Sequence, residues 1–583
     1  MKKIKLLFCF SLARHSRLLA TAGLFIFSFS FCEGQSWVWG DVGNVSLKAN
    51  DLGSSVATDR NGNAYFTGQY SNSITLGRFT LQDSSDEAYI AKCDPTGKIL
   101  WLVQPAGNST SGSYGLSIAT DSMSNVYVTG LFWDTVSFGS YTVTEPQGTL
   151  GIYLAKFDSN GNILWIKQAL IPSGGRGQGN GVATDAKGDI YITGFIIDSA
   201  SFGTHYLNSP GGVSDIFIAK YNANGNVLWA KQSTFKSTSA SDQAYSISTD
   251  EKGNAYIAGI FQDTIIFGMD TLTEPPSVDE TPFIVKFDTS GNVLWARQGL
   301  TSSSAFDSYA FGVATDRTGS VCLTGYFQDT ITFGTHSLYS GSNYQAFLTK
   351  YDGTGNILWA EQSTGNGGWI GYSLSTDLFN NIYIGGAGGN SSFNTDTLKF
   401  GSLRLPSDST SPASAFMLKF NSSGNAICGS ILINGCVNGV GVASDVSGKY
   451  TYLASTLVNT VICGPDTLIS PHGGTDPYVA RWNSCSLETG ISQPEAKNKE
   501  LKVFPNPFSN TTTISIHNSP LTTHNLELDD ITGRRLKSLE FSGNSYTLSA
   551  EGLAKGMYFI RVFSRSPAGN YDNLIGTSKI VVQ

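Results

Sequence analysis

Short runs of alternating hydrophobic and polar residues recur through most of the chain, and tight-turn sequences separate them. The clearest copy is residues 215–232, DIFIAKYNANGNVLWAKQ. Its apolar residues alternate over a strand-length run, Asn224-Gly225-Asn226 supplies a turn suited to positive φ, and a second run returns. The pattern predicts a β-hairpin. Similar hairpins begin at Ala88, Ile152, Pro282 and Ala346.

A second signature, ATD followed by a Gly-Asn turn and a tyrosine-containing strand, precedes each hairpin. Its aspartates are Asp59, Asp121, Asp185, Asp250, Asp316, Asp377 and Asp445. The hairpin tryptophans, spaced 62 to 66 residues apart, are Trp39, Trp101, Trp165, Trp229, Trp295 and Trp359. Each unit therefore predicts four antiparallel strands, a to d. Because one such sheet cannot bury both faces alone, seven of them are expected to stack radially as propeller blades.

The two ends of the repeat array predict how the ring closes. SWVWGDVGN at residues 36–44 is similar to a d strand without a c strand before it, and DPYVARW at 476–482 is a c strand without a d strand after it. Pairing the two completes the last blade and removes an open sheet edge. The sequence predicts an all-β, seven-bladed β-propeller over residues 36–485.

The connections within each unit predict one variable face. The a–b and c–d turns are short and repeated, whereas the b–c and d–a connections are long and variable, and these two sets lie on opposite rims. Non-repeating residues on the long-loop face are the candidates for ligand contact, since an exposed aromatic ring there can stack on a sugar. The foremost candidates are Trp369 and Arg176, followed by Tyr114, Phe235 and Phe306.

Residues that recur in every unit are better explained by folding than by chemistry. An active site needs one constellation, whereas the Asp-x-x-Gly-Asn turn occurs seven times and caps itself through its aspartate. The recurring basic position is expected to pair with that aspartate or to extend along the blade edge; it comprises Lys92, Lys156, Lys220, Lys286, Lys350, Lys419 and Arg481. His205, His336 and His472 lack a metal or catalytic motif, and no metal or cofactor is expected.

Composition excludes some classes of function. Among the 583 residues, 14% are charged and the formal net charge is −8, so no excess of Lys and Arg is available to neutralise nucleic-acid phosphates. Gly is abundant at 65 residues and aromatic residues make up 12%, a mixture typical of short strands and tight turns.

The first 35 residues form a separate segment. Basic residues precede an apolar run of 15 residues at 18–32, which predicts a secretory signal peptide over residues 1–35. The run is too short to span a bilayer comfortably, so no transmembrane span is expected in the mature protein. Beyond it, Cys93 and Cys322 are expected to be buried thiols. A cluster able to form two disulfides in three connectivities comprises Cys428, Cys436, Cys463 and Cys485.

The chain after the propeller contains a polar linker, residues 486–500, and a region of short alternating segments, residues 501–583, that predicts a small antiparallel sandwich. This tail resembles the C-terminal sorting domain of type IX secretion cargo in Bacteroidetes through four ordered motifs, FPNP, DITGR, GMYFIR and SKIVV. The residues that carry the resemblance are Pro505, Asn506, Pro507, Asp530, Gly533, Arg534, Gly556, Tyr558 and Lys579. The repeats themselves are similar to the bacterial β-propeller repeat family.

The resemblance implies export by the type IX machinery to the outer-membrane surface or the medium. There the protein is expected to bind a polysaccharide or a protein without catalysis. One alternative is a secreted glycosidase using carboxylates on the long-loop face, such as Glu280 and Asp307, and another is a structural surface component.

An Asp-Thr-apolar sequence also recurs within the b–c connections. It resembles the O-glycosylation site of exported Bacteroidetes proteins, or else it merely begins a strand in each repeat. The copies begin at Asp134, Asp263, Asp329, Asp396 and Asp466.

Overall fold

The computed structural model describes most of the chain between residues 36 and 582. The described ranges are 36–42, 44–45, 51–107, 110–235, 241–274, 280–301, 307–389, 397–406, 414–432, 440–457, 460–464, 466–470, 475–483, 501–504, 506–516, 523–530, 535–564 and 573–582. The chain divides into two compact units, Met1–Ser486 and Leu487–Gln583. Both are built from strands, and no helix occurs within these ranges, which confirms the all-β prediction. The predicted signal peptide and linker lie outside the described residues.

The described part of the first unit contains five four-stranded, one five-stranded and one seven-stranded antiparallel sheet, together with small two- and three-stranded sheets. The segments that correspond to the seven sequence repeats are referred to below as blades 1 to 7. The chain begins with β1 (Ser36–Val42) and β2 (Asn44–Val45). Blade 1 comprises β3 (Leu52–Thr58), β4 (Ala64–Leu76), β5 (Phe79–Cys93) and β6 (Ile99–Val103). Blade 2 comprises β7 (Gly112–Thr120), β8 (Val126–Trp133), the hairpin β9 (Thr135–Phe138) and β10 (Tyr141–Thr144), then β11 (Gly151–Phe157) and β12 (Ile163–Ala169). Blade 3 comprises β13 (Arg176–Thr184), β14 (Ile190–Phe202), β15 (His205–Tyr221) and β16 (Val227–Gln232).

The remaining blades follow the same plan. Blade 4 comprises β17 (Thr234–Phe235), β18 (Gln243–Thr249), β19 (Ala255–Phe261), β20 (Thr264–Phe267), β21 (Asp270–Thr273), β22 (Thr281–Phe287) and β23 (Val293–Gln298). Blade 5 comprises β24 (Leu300–Thr301), β25 (Tyr309–Thr315), β26 (Val321–Phe333), β27 (His336–Tyr351) and β28 (Ile357–Thr364). Blade 6 comprises β29 (Gly368–Thr376), β30 (Ile382–Gly389), β31 (Thr397–Phe400), β32 (Leu403–Pro406), β33 (Ser414–Phe420) and β34 (Ala426–Leu432). Blade 7 comprises β35 (Gly441–Ser444), β36 (Thr451–Leu457), β37 (Thr460–Cys463), β38 (Asp466–Ile469) and β39 (Asp476–Asn483).

The N-terminal strand is the fourth strand of blade 7. β1 pairs antiparallel with β39 along its length, from Ser36 opposite Asn483 to Val42 opposite Tyr478. Blade 7 also bonds to blade 1, because the Tyr452 hydroxyl donates to the Gly62 carbonyl at 2.6 Å. The structure therefore contains the predicted closure, and β39 is covered on both edges.

The hydrophobic cores lie between blades. The cluster between blades 3 and 4, for example, joins Ile216 and Ile218 of β15 to Ile257 of β19 and Val285 of β22, all at most 1% exposed. Burial of these apolar faces is the main favourable term that holds adjacent blades together.

The b–c connections are hairpins rather than open loops, which corrects the prediction that they belong to the variable face. The glycine of the FG sequence, or of the equivalent LG and CG in blades 1 and 7, forms the hairpin tip with φ between +55° and +61°, at Gly77, Gly139, Gly203, Gly268, Gly334, Gly401 and Gly464. The tip reaches the start of the blade's own d strand, since a Cβ at Gly139 would lie 3.3 Å from Ile163. The hairpin also pairs with the segment after the preceding d strand, as Leu170 does with Ser201. The hairpins therefore cover the sides of the blades.

The Asp-Thr-apolar copies fall at the bends that lead into these hairpins. Asp134, Asp263 and Asp329 have φ of +63°, +67° and +65°, a conformation that Asp tolerates better than most residues. Asp466 instead begins β38, the second strand of its hairpin. Asp396 lies outside the described residues. These positions support the reading that the sequence begins a strand, while glycosylation stays a prediction.

The cysteines depart from the expected two disulfides. Cys93 and Cys322 are buried thiols, as predicted, but Cys463 is a buried thiol as well. Cys428 is disulfide-bonded, with a partner outside the described residues. Cys463 follows a hairpin strand of blade 7 and packs into the core with Leu468 and Trp482, which explains why it behaves as an apolar residue.

The second unit consists of two antiparallel sheets around one core. Its strands are β40 (Leu501–Phe504), β41 (Thr511–Ile516), β42 (Thr523–Asp530), β43 (Arg535–Ser542), β44 (Ser545–Ser549), β45 (Gly556–Ser564) and β46 (Asn573–Val582). Ile514 from the first sheet packs with Leu526 and Ile560 from the second, which gives the predicted sandwich. Within the described residues of the whole chain, no helix is long and apolar enough to cross a membrane.

Candidate functional site

The repeated aspartates accept hydrogen bonds from groups of their own turns. Asp59 Oδ1 accepts hydrogen bonds from the main-chain N–H groups of Asn61 and Asn63, at 2.9 and 3.0 Å. Its Oδ2 accepts from the Asn63 side chain at 2.8 Å and from the Tyr65 hydroxyl at 3.0 Å. The same arrangement recurs around Asp121, Asp250 and Asp377. This supports the prediction that these residues stabilise the fold.

The repeated lysines and tryptophans lock each blade to the next. Lys92 Nζ and Trp101 Nε1 both donate to the Ser159 carbonyl, at 3.0 and 3.1 Å, in the c–d turn of the following blade. The lysine also lies 4.8 Å from the Tyr65 ring centroid. The shared carbonyl recurs at Ala223, Thr289, Gly353 and Ser422. At the closure, Arg481 donates to the equivalent Pro95 carbonyl. Both sets of repeated residues are therefore structural.

Strand a contains a β-bulge, and the type of residue at the bulge distinguishes one group of blades from the others. In each of blades 1 to 6 the pairing between strands a and b skips one residue five positions before the turn aspartate. These residues are Ser54, Leu116, Asn180, Tyr245, Phe311 and Tyr372. A bulge turns an extra side chain out of the regular alternation of the strand. The backbones approach closely here, because a Cβ on Gly194 would lie 1.8 Å from the Gln178 carbonyl oxygen.

Strands a of neighbouring blades form the inner ring. The Ser117 hydroxyl of blade 2 accepts from Val182 N of blade 3 at 3.1 Å, and Ser246 of blade 4 accepts from Val313 N of blade 5 at 3.2 Å. The bulged residues lie toward the end of strand a that follows the d–a connection. They are partly exposed, which places them on the long-loop side of the ring.

In blades 4 to 6 the bulged residues are aromatic and continue into a larger cluster. The Phe311 ring lies 5.3 Å from Tyr245 and 5.2 Å from Tyr372. Tyr309 stacks on Tyr326 at 5.2 Å and 15°. We call these rings the aromatic wall, which consists of Tyr245, Tyr309, Phe311, Tyr326, Tyr344 and Tyr372. At the bulges of blades 1 to 3 the equivalent residues are Ser54, Leu116 and Asn180. The bulge positions are therefore aromatic on only one side of the ring.

Two carboxylates adjoin the aromatic wall. Tyr309 donates its hydroxyl hydrogen to Glu280. Burial, followed by the negative charges of Asp307 and Glu280 among other groups, raises the pKa of Tyr326 well above its usual value. The two acids that the sequence suggested as a pair are therefore both close enough to act on one tyrosine.

The two foremost sequence candidates have different positions. Trp369 is 0% exposed and packs edge-on against Phe416 at 5.9 Å in the core of blade 6. The prediction of an exposed ring at this position is wrong, because the residue begins strand a inside the blade junction rather than in the preceding loop. Arg176 is exposed at the start of β13, where its backbone bridges to Leu150.

The other loop aromatics are partly described. The Tyr114 hydroxyl lies 3.4 Å from Asp86, and its ring packs edge-on against Trp133 at 5.5 Å. Burial and the Asp86 charge raise the pKa of Tyr114 to about 12. Phe306 and the side chain of Phe235 lie outside the described residues.

The second unit brings the tail motifs together. Asp530 pairs in register with Tyr558, and on the next strand Lys579 pairs with Phe559 and Val582 with Gly556. Asn506 Oδ1 accepts from Val581 N at 2.8 Å, and Pro507 beside it is exposed. The motifs at both ends of this unit therefore meet at its last strand. Pro505, Gly533 and Arg534 lie outside the described residues.

Residues 502–575 match the family model of the secretion system C-terminal sorting domain. Residues 228–259, which include the d strand of blade 3 and strands a and b of blade 4, match the family model of the β-propeller repeat. The chain contains a β-propeller repeat and a type IX sorting domain. The sorting domain indicates a secreted or cell-surface protein that is handled by the type IX secretion system.

More distant similarities extend over most of the chain. An uncharacterized WD repeat-containing protein of Acanthamoeba polyphaga mimivirus is 24% identical over 477 residues, which cover 66% of this chain and 33% of the relative. The chain thus spans about a third of that relative's length.

Two solved structures are also similar. The quinohemoprotein alcohol dehydrogenase of Comamonas testosteroni covers 80% of this chain over 79% of its own, at 12% identity and a TM-score of 0.32. A protein of unknown function from Dyadobacter fermentans covers 77% of this chain over 99% of its own, at 10% identity and a TM-score of 0.35. At these scores neither similarity bears on what this protein binds.

Proposed function

We propose that this secreted or surface propeller is a recognition protein that binds a carbohydrate against the aromatic wall. The observation that carries the proposal is the run of touching, partly exposed rings from three consecutive blades, Tyr245, Phe311 and Tyr372. Aromatic faces stack on the apolar faces of sugar rings, and tyrosine hydroxyls add polar contacts at their edges. Tyr344, which is 45% exposed, extends the surface outward.

The acidic neighbours fit the same ligand class. Carboxylates accept hydrogen bonds from sugar hydroxyls. Glu280 accepts a hydrogen bond from Tyr309 of the aromatic wall, and the charge of Asp307 acts on Tyr326. Arg176 is exposed on blade 3 and remains a proposed polar contact for a longer glycan. A polysaccharide is thus a better fit than a nucleic acid for a chain of net charge −8.

The test is a glycan array probed with the full chain and with the Tyr344→Ala variant. Because Tyr344 is half exposed, its removal should leave the fold intact and weaken binding to the best glycans about 3- to 10-fold. Tyr206→Ala is the matched control, since Tyr206 is 65% exposed on the side hairpin of blade 3. Binding that is equal in all three proteins, or absent from the whole array, would contradict the proposal.

Glycoside hydrolysis is a second candidate function, favoured by the negative charges of Asp307 and Glu280, which both help to raise the pKa of Tyr326. Glycosidases use two carboxylates about 5 to 10 Å apart, one on each side of the scissile bond. Incubating an array-positive oligosaccharide with the full chain and with Glu280→Gln decides between binding alone and hydrolysis. Release of reducing ends that disappears in the variant would establish the enzyme, and an unchanged oligosaccharide would exclude hydrolysis of that glycan.

A further inference from the structure

Each junction between blades brings two buried positions together. One is the first residue of strand c, and the other is the residue just before strand a of the next blade or at its start. Main-chain hydrogen bonds hold them in place: Asp242 N donates to Ser214 O at 2.9 Å, and Asp51 N donates to Thr475 O at 3.2 Å. The described pairs are Glu87 with Ser113, Gly151 with Gly177, Asp215 with Asp242, Thr281 with Ser308, Gln345 with Trp369, and Asp476 with Asp51.

Two of these six junctions contain two acids. Both members of each pair are at most 1% exposed, namely Asp215 with Asp242 and Asp476 with Asp51. The junction with a single acid shows the usual solution, because Glu87 Oε2 accepts a hydrogen bond from the Ser113 hydroxyl at 2.7 Å. Where one position is Asp, the opposite position is Asp as well. The two like charges buried at the Asp215–Asp242 junction indicate a shared positive partner.

The pair between blades 3 and 4 has unused bonding capacity. Asp242 Oδ1 accepts from Gln262 N at 3.0 Å, but Asp242 Oδ2 and both oxygens of Asp215 have no hydrogen-bond partner. The Ser209 hydroxyl favours the charged form of Asp215, yet its hydrogen is donated to Val213 O at 3.1 Å. The buried Ser214 hydroxyl also lacks a partner. Several oxygen ligands are therefore available at one place.

The closing junction repeats this geometry. Asp51 Oδ1 accepts from Ser71 N at 2.7 Å, as Asp242 does from Gln262 N, and Asp51 Oδ2 is buried without a hydrogen-bond partner. The charges that act on Asp51 are those of Asp476 and Asp86, and those that act on Asp242 are Asp215, Glu274 and Asp263. The three charges that act on Asp242 are all negative, so they do not neutralise the Asp215–Asp242 pair.

Two adjacent carboxylates removed from water cannot both stay ionised without a cation. The donors are all oxygens, which suits a hard cation, and calcium accepts carboxylates together with hydroxyls, carbonyls and water. Within the described residues no group of three or more His, Cys, Asp or Glu side chains could hold a metal ion. The remaining ligands must therefore be neutral oxygens, which calcium tolerates.

We propose that Asp215 and Asp242 bind a calcium ion between blades 3 and 4. The ion joins strand c of blade 3 to strand a of blade 4. The site stabilises the ring independently of any ligand at the aromatic wall.

Protons compete with the metal for these oxygens. Burial raises the pKa of Asp215 to about 7 and that of Asp242 to about 8. In the absence of metal, their raised pKa values favour the folded state at low pH, and this contribution is lost as the pH rises from about 4 through 8. Calcium should therefore stabilise the protein strongly at pH 8 and hardly at all at pH 5.

The experiment measures calcium bound to the chelator-treated full chain by equilibrium dialysis at pH 8, together with its thermal midpoint with and without calcium. We expect one ion per chain, and none after Asp215→Asn with Asp242→Asn. Glu87→Gln is the matched control, a buried junction acid outside the pair, and should retain the ion. The single variant Asp242→Asn provides the same comparison if the double variant does not fold, as judged by circular dichroism.

Three results would overturn the inference. The first is no bound calcium at millimolar concentration and pH 8. The second is an unchanged number of ions in the folded Asp242→Asn variant. The third is a thermal midpoint that falls from pH 5 to pH 8 equally with calcium and with chelator, which would mean that the pair shares a proton instead.

Discussion

At the scale of single residues, the carbonyl shared by a lysine and a tryptophan explains why both recur. Lys220 Nζ and Trp229 Nε1 reach Thr289 O at 3.4 and 3.1 Å, and Lys220 also pairs with Asp189 at 3.0 Å. Turn glycines complete the contact, since a Cβ on Gly291 would lie 2.9 Å from the Trp229 ring. Cys428 occupies the tryptophan position in blade 6, so that blade lacks the indole contact.

Replacement of Trp229 by Phe should destabilise the propeller by about 1–2 kcal/mol. The change removes one hydrogen bond and part of an aromatic contact, while Lys220 still donates to the carbonyl. The shift of the urea midpoint is measured by circular dichroism of the backbone, a signal that does not depend on the tryptophan that was replaced. Leu228→Ala, at a neighbouring side chain that is 45% exposed, should shift it far less. Equal shifts would contradict the locking role.

The residues of the candidate site show what repeat comparison can and cannot reveal. Tyr245, Phe311 and Tyr372 all lie five positions before their turn aspartates, so alignment of the units would have found them as variable positions. That a bulge turns them away from the core is a matter of strand pairing, which the sequence does not display. Trp369 lies eight positions before its aspartate, and that count places it with the buried junction residues.

At the scale of elements, hairpins were predictable and their placement was not. Turn glycines and alternating apolar residues defined strands a to d, because both signals are local. The side hairpins were missed because their tip reads simply as FG within a long segment, and their packing depends on contacts between blades. The side hairpins also contact strand d of their own blade, where the Gln232 side chain accepts from Asn208 N and donates to Asn208 O.

The hairpin tip gives a prediction at this scale. Gly203 has φ of +58°, and a Cβ there would meet Val227 at 3.4 Å, so Gly203→Ala should destabilise the protein by about 1 kcal/mol. Thr204→Ala is the control, an exposed neighbour in the same turn. Thermal unfolding of both variants is the measurement. A neutral Gly203→Ala would mean that the hairpin tip is not held in this conformation.

At the scale of the whole molecule, the two ends of the repeat array allowed the closure of the ring to be predicted, and the tail motifs allowed the export route to be predicted. The orphan strand at residues 36–42 had one open edge to complete, that of β39, and it pairs there. The export route followed from four short motifs that are matched as a family. The ligand could not be inferred in the same way, because recognition depends on a few non-repeating side chains assembled from separate blades.

The most direct test of the account is a calorimetric titration of the full chain with the strongest glycan found on the array. Phe311→Leu removes the central ring of the aromatic wall, so it should weaken binding about 5- to 10-fold. Because leucine keeps an apolar side chain at this position, the heat capacity and the thermal midpoint of the variant should be those of a folded protein. Leu116→Ala, at the equivalent bulge of blade 2, should bind as the parent chain does. Unchanged affinity in a folded Phe311→Leu variant would contradict the assignment of the aromatic wall as the binding site.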